Sequence, residues 1–247
     1  MLLPYQNIQA DNPAYNPWIW FNIIGEMGCL LWIIAYVLIF FKAKQDRTYG
    51  LPLIAICLNF AWEALAAFIL PNPVDLWQWF ARIWFGLDLF LVWQLIKYGR
   101  EEMDIPEVRQ HFLKIVASIF IASIVAEYTF VMTYFDRLGI VTAFFSNLVM
   151  SALFIPFFFA RRHDRRGLSL PAAWCKMLGT LCISIACYYL VPAIDPELPT
   201  VAFLVFSCSG VFLLDCIYIA LLMFVKPASE EALEAIATAE ATQTYLA

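Results

Sequence analysis

Charge is what this sequence has least of. Only 14% of its 247 residues are charged, while 63% are hydrophobic and 17% aromatic, where a soluble domain carries about a quarter charged. A water-soluble globular fold is thereby disfavoured from the start. Histidine is nearly missing too: His111 and His163 both fall in polar connections, and the seven cysteines form no CxxC pair. A His/Cys metal site has little to be made from, and the cysteines read as small buried hydrophobes. The net charge of -5 comes with no basic domain or aromatic-basic stripe, which argues against a nucleic-acid partner. The leading MLLPYQNIQADNPAYNP has no basic start followed by an apolar core and a small-residue cleavage site, so no removable signal peptide is expected.

What is present is a series of seven apolar runs, each of about 20 residues, the length that spans a bilayer as a helix. They cover 18–41, 51–70, 76–97, 113–134, 139–160, 172–191 and 200–225, with Pro156 expected to kink the fifth. Thirteen of the 15 Lys and Arg fall in the connections after helices one, three and five or at the start of the tail, Lys176 being counted with the fifth connection. The opposite side holds Arg137 alone, and Arg82 lies inside a span. This asymmetry predicts an all-α, polytopic seven-helix bundle with a lumenal N-terminus and a cytosolic C-terminus. The chain reads as one membrane domain, 1–247, whose Ala- and Glu-rich tail, 226–247, is expected to be a frayed surface helix.

The second run, LPLIAICLNFAWEALAAFIL, places Asn59 and Glu63 four residues apart on one helix face. A carboxyl near the middle of lipid is costly, faces the protein interior and marks a functional site by default. A medium of low dielectric disfavours its ionised form, so Glu63 is a candidate for a neutral acid kept dry. Counting about 1.5 Å per helical residue sets Glu26, Glu63, Arg82 and Glu127 roughly 9 to 14 Å from the lumenal surface, and Asp88 and Asp215 roughly 18 to 23 Å deep. Polar groups on five helices suggest a shared cavity in the lumenal half. Arg82 is expected to pair with an acid if it is buried.

Two chemistries use acids and many rings in a dry pocket. One is a carbocation cascade, in which an acid protonates an epoxide or alkene, aromatic faces stabilise cations and a base removes the last proton. The other is proton-coupled transport. A small seven-helix transporter or receptor therefore stands as the alternative, and a scaffolding subunit as a third. A retinal protein is disfavoured because helix seven has no lysine, and a PQ-loop transporter because no Pro-Gln pair occurs.

The segment NFAWEA, Asn59 to Ala64, together with an isolated Asp215 in the last helix, resembles the integral-membrane terpene cyclases of fungal meroterpenoid and indole-diterpene pathways, the paspaline-type cyclases. The likeness covers nearly the whole chain. It implies an enzyme that cyclises the prenyl chain of a lipophilic epoxy-prenyl substrate with a polyketide-derived or indole head. That substrate would be supplied by a prenyltransferase and a flavin-dependent epoxidase. Glu63 and Asp215 match the family's two acidic positions: Glu63 is assigned to open the epoxide and Asp215 to hold or relay the proton, the reverse division staying open. Asn59 and Trp62 would orient Glu63 and cover the pocket, and Arg82, Asp88, Glu26 and Glu127 are candidates to line it. No metal and no cofactor is implied, in keeping with the absence of DDxxD and DxDD motifs. The endoplasmic reticulum is the expected membrane.

Overall fold

Hydrocarbon offers no partner to a free backbone N–H or C=O, so apolar runs of this length close their hydrogen bonds internally, as helices. The structure is a computed structural model that describes residues 12–70, 74–134, 136, 138–194 and 201–228. After a short 3-10 turn at Pro13–Tyr15, seven helices follow: α1 (Trp20–Asp46), α2 (Leu53–Phe68), α3 (Asp75–Tyr98), α4 (Pro106–Tyr134), α5 (Ile140–Ala160), α6 (Leu170–Ile194) and α7 (Val201–Phe224). No strand occurs among the described residues. The sequences expected for the tail helix and the N-terminal lead fall largely outside them.

Three boundaries differ from expectation, each for a local reason. α4 starts seven residues early, at Pro106, because a proline at the first helical position and Glu107 in the first turn suit a helix N-terminus. α6 starts at Leu170, two residues before the expected run, and Lys176, which lies inside that run although it was counted with the fifth connection, is a helix residue. α2 has only 16 residues, so among the described residues six helices are long and apolar enough to cross a membrane, where seven were expected. Its last turn is closed from outside: Gln78 of α3 donates through Nε2 to Ala66 O and Ala67 O, both at 2.9 Å. α5 and α6 stay helical through Pro156 and Pro192.

α1 lies against α6 and α3, α2 is set among α3, α4 and α5, and α7 covers α5 and α6. The approach of α1 to α6 depends on two glycines. A Cβ on Gly28 would stand 2.6 Å from the Gly179 carbonyl oxygen, and one on Gly179 would stand 2.9 Å from that of Gly28. Backbones meet there with no side chain between them, the device by which small residues join helices in lipid.

The basic end of the bundle is closed by arginines. Arg161, 8% exposed, donates to Tyr49 O at 2.6 Å, Arg166 O at 3.0 Å and Glu102 Oε2 at 2.6 Å. Its guanidinium lies on the rings of Tyr49 and Phe157, and Thr48 donates to the other oxygen of Glu102. Arg166 reaches Asp46 O and Arg47 O, and Arg165 reaches Leu222 O and Val225 O. Removing one partner of such a buried pair strands the other. Arg161→Ala is expected to cost about 3 kcal/mol, with Arg161→Lys recovering little because one ammonium cannot reproduce the planar fork. Thermal unfolding in detergent checks this, and a wild-type midpoint for the alanine variant would refute it.

Candidate active site

Five helices turn one stripe each toward a common cavity, which bounds about 1010 Å³ of space not filled by atoms, open solvent at its mouth included. α1 contributes Cys29, Trp32 and Tyr36; α3 contributes Trp77, Ala81 and Trp84; α6 contributes Thr180, Ile183, Cys187 and Leu190. These spacings of three and four are a single face of each helix. α2 supplies Asn59, Trp62, Glu63 and Ala66, and α5 supplies Ala143, Phe144 and Asn147. Four tryptophans, Tyr36 and Phe144 set six aromatic rings among the aliphatic side chains of the wall.

Glu63, 2% exposed, sits at the inner end of this space. Tyr36 donates its hydroxyl proton to Glu63 Oε1, and Asn59 Nδ2 donates to the same oxygen at 3.0 Å. Asn59 Nδ2 also reaches the Tyr36 hydroxyl and, at 2.8 Å, Asp88 Oδ2. Asp88 is fully buried, and its carboxyl is within hydrogen-bonding reach of that of Glu63. Four carboxyl oxygens thus face three protons from Tyr36 and Asn59, and Glu63 Oε2 and Asp88 Oδ1 receive none of them. Asp88 is the next inward position on the stripe 77, 81, 84, beneath the cavity and not among its lining residues.

At the mouth, Trp62 donates its indole N–H to Gly139 O at 2.8 Å. Gly139 has φ +67, and a Cβ there would stand 2.5 Å from Leu70 Cδ1 and 3.2 Å from Trp62 Nε1. The following helix is held by Asp136, whose carboxylate accepts from the backbone and hydroxyl of Thr142, both at 2.7 Å. Burial pushes the Asp136 carboxyl above its ordinary range, against the opposing pull of these bonds. Gly139→Ala combines a left-handed backbone with two close contacts, so a loss of about 1 to 2 kcal/mol is expected, read as a lowered unfolding midpoint. An unchanged midpoint would mean that Leu70 and Trp62 yield freely.

The other expected residues divide. Asp215, 2% exposed, is not beside Glu63: both its oxygens accept from Lys176 Nζ, at 2.7 and 2.8 Å, and Lys176 also donates to Ser151 at 2.7 Å. Glu127 is buried and accepts from Ser146 at 2.6 Å, away from the cavity lining. Glu26 is half-buried, and its Oε1 has no hydrogen-bond partner among the described residues. Arg82 departs from the expectation of a cavity residue paired with an acid. It is exposed, and its guanidinium lies 4.9 Å from the centre of the Trp79 ring. Lys176 and Tyr36 are the residues that sequence reasoning passed over. A lysine one turn before Thr180, inside an apolar helix, was the available signal for the first; a lone tyrosine in an apolar run gave none for the second.

Residues 8–228 match the family model described as Pyr4-like transmembrane terpene cyclases. The chain belongs to this family. Among curated relatives it is similar to the Pyr4-family terpene cyclase mfmH of Annulohypoxylon moriforme, 32% identical over 55% of this chain and 56% of the relative. It is also similar to the terpene cyclase macJ of Penicillium terrestre, 29% identical over 65% and 62%. Asnovolin H synthase nvfL of Aspergillus novofumigatus is 26% identical over 80% and 82%. The match spans about half the length of mfmH, 56%, and of two further terpene cyclases to which the chain is similar, 52% and 49%. No solved structure matches. The Pyr4-like membership agrees with the six long apolar helices in placing the chain in a membrane. Among the described residues, no group of three or more His, Cys, Asp and Glu is arranged to hold a metal ion.

Proposed function

We propose that this Pyr4-like chain is a membrane-bound cyclase that protonates the terminal epoxide of a prenylated polyketide or indole substrate and drives a carbocation polycyclisation. The observation that carries this reading is the Glu63–Asp88 pair, bridged by Asn59 and set at the inner end of an aromatic cavity. Two carboxyls this close, with no basic group among their hydrogen-bond partners, cannot both be ionised in a dry site, so the pair holds a proton.

Glu63 faces the cavity and delivers that proton to the epoxide oxygen. The C–O bond opens, the oxygen becomes a hydroxyl and a tertiary carbocation forms. Alkene π electrons then attack in turn, making C–C bonds, until a C–H proton returns to a carboxylate and the acid is restored. The product is an isomer of the substrate, and no metal is used. The aromatic wall stabilises the passing cations and keeps out the water that would quench them. Tyr36 and Asn59 fix the acid's orientation. Upstream, a prenyl transfer and an epoxidation must supply the substrate, and the endoplasmic reticulum is the membrane proposed for this sequence of reactions.

The test is expression in a heterologous fungal host fed with epoxy-prenyl polyketide and epoxy-prenyl indole precursors. A product of unchanged mass and altered retention that depends on the chain is expected. A transporter built on the same acids would move the precursor across the membrane and leave its retention unchanged.

A further inference from the structure

Apart from the acid cluster, the cavity wall carries a second polar group. Thr180 and Asn147 are the innermost positions that α6 and α5 turn to the cavity. Thr180, 4% exposed, accepts from the Trp32 indole N–H at 3.1 Å and from Asn147 Nδ2 at 3.2 Å. A threonine hydroxyl has two lone pairs and one proton, so both lone pairs are taken and the proton is left over. Ser118, Thr129 and Ser184 pass theirs to a carbonyl one turn earlier. The Thr180 proton has no acceptor among the described residues. Asn147 is in the complementary position: its Oδ1 is buried and has no donor among the described residues. The turn beneath offers neither of them a partner, since Lys176 already donates to Ser151 and to both oxygens of Asp215.

Resting on the cyclase reading, we infer that Thr180 and Asn147 form a hydrogen-bonding subsite for a hydroxyl group on the head of the substrate. The hydroxyl accepts the Thr180 proton and donates its own to Asn147 Oδ1, so both unpaired atoms are satisfied at once. A ketone or ether oxygen only accepts, and an indole N–H only donates. The subsite therefore favours a hydroxylated, polyketide-derived head over an indole. Its place suits the head as well. Tyr36, which donates to Glu63, and Trp32, which donates to Thr180, have ring centres 5.7 Å apart. Two aromatic rings thus separate the acid from the hydroxyl subsite along the wall. The substrate has the same order of parts: epoxide, alkenes, head. With the epoxide at Glu63, the alkenes lie against the rings and the head reaches Thr180. Anchoring the head there restricts how the prenyl chain can fold before the acid acts.

Binding of two epoxide-free ligands tests the inference without any turnover: a farnesylated phenol, and the same farnesylated arene with hydrogen in place of the hydroxyl. The wild type is expected to prefer the phenol about tenfold, or 1.4 kcal/mol, because the deoxy ligand leaves both polar atoms buried and unpaired. Asn147→Leu is close to isosteric and is expected to remove most of that preference, the deoxy ligand binding at least as tightly as it does to the wild type. A mere tie between α5 and α6 would weaken both ligands alike and leave their ratio as it was. Should Asn147→Leu not fold, Thr180→Val keeps the shape, removes the hydroxyl proton and is expected to lower the same ratio. Equal affinities of the wild type for the two ligands overturn the inference, and so does a wild-type ratio in the folded variant. A wild type that prefers the phenol yet forms no isomer from either epoxy-prenyl precursor overturns the cyclase reading alone. One that forms the isomer while binding both ligands equally overturns the hydroxyl subsite alone.

Discussion

Glu63→Gln lowers the cyclisation rate by about a hundred- to ten-thousand-fold, the range that a positioned general acid contributes, while the chain still folds and binds an unreactive prenyl analogue. The substitution is close to isosteric. Its amide oxygen can still accept from Tyr36 and Asn59, and its amide nitrogen can donate to Asp88, so the hydrogen-bond cluster survives. What is lost is the proton that can be given away. The measurement is turnover of an epoxy-prenyl substrate beside equilibrium binding of the same skeleton without the epoxide. A folded Gln variant that cyclises at the wild-type rate would remove Glu63 from the mechanism.

Gly28→Val is the second large effect, and it acts on the fold. Its added carbons meet the Gly179 carbonyl and the side chains of Ile183 and Cys182, and a backbone carbonyl inside a helix cannot swing aside. Overpacking of a core typically costs about 1 to 3 kcal/mol where side chains can adjust. Here the cost is expected to reach or pass the upper end, because α1 and α6 must separate along their whole contact. Those two helices carry Trp32, Tyr36, Lys176 and Thr180, so the cavity wall separates with them. Gly86→Ala is the control: nothing lies within 4 Å of its Cβ, and a helix interior gains about 0.5 to 1 kcal/mol from that change. Unfolding midpoints and the monodisperse fraction in detergent separate the two, and similar behaviour of both variants would refute the close crossing.

The positions of the helices were legible in the sequence because hydrocarbon forces long apolar runs into helices and flanking charge marks their ends. Glu63 was legible for a related reason, as an acid in such a run with Asn59 one turn before it. Rotation of a helix about its own axis was not. Arg82 follows Ala81 by one residue, about 100° of turn, and that step takes it from the cavity stripe to the exposed face beside Trp79. Asp88 and Glu63 come from different helices, and depth alone could not say that Asn59 joins them. Lys176 falls inside the sixth apolar run yet counts with the connecting arginines as a mark of orientation, whereas two turns inside α6 it is a buried cation paired with an acid. The arginines after α5 were legible as a count and not as a set of contacts, because their partners, carbonyls of other connections and of the last turn of α7 and the Glu102 carboxylate, are remote in sequence.

The shortness of α2 bears on how the acid is held in the bilayer. Sixteen residues make a rod of about 24 Å, against a hydrocarbon thickness of about 30 Å. Longer helices settle their height through their own interfacial anchors, and they tilt when acyl chains lengthen or shorten. α2 is shorter than that thickness, and the carbonyls of its last turn are held by Gln78 of a neighbouring helix. Its vertical register is therefore set by protein contacts and not by lipid. Hydrophobic mismatch that tilts the outer helices leaves Glu63 at a fixed depth relative to the α3 residues Trp84 and Asp88.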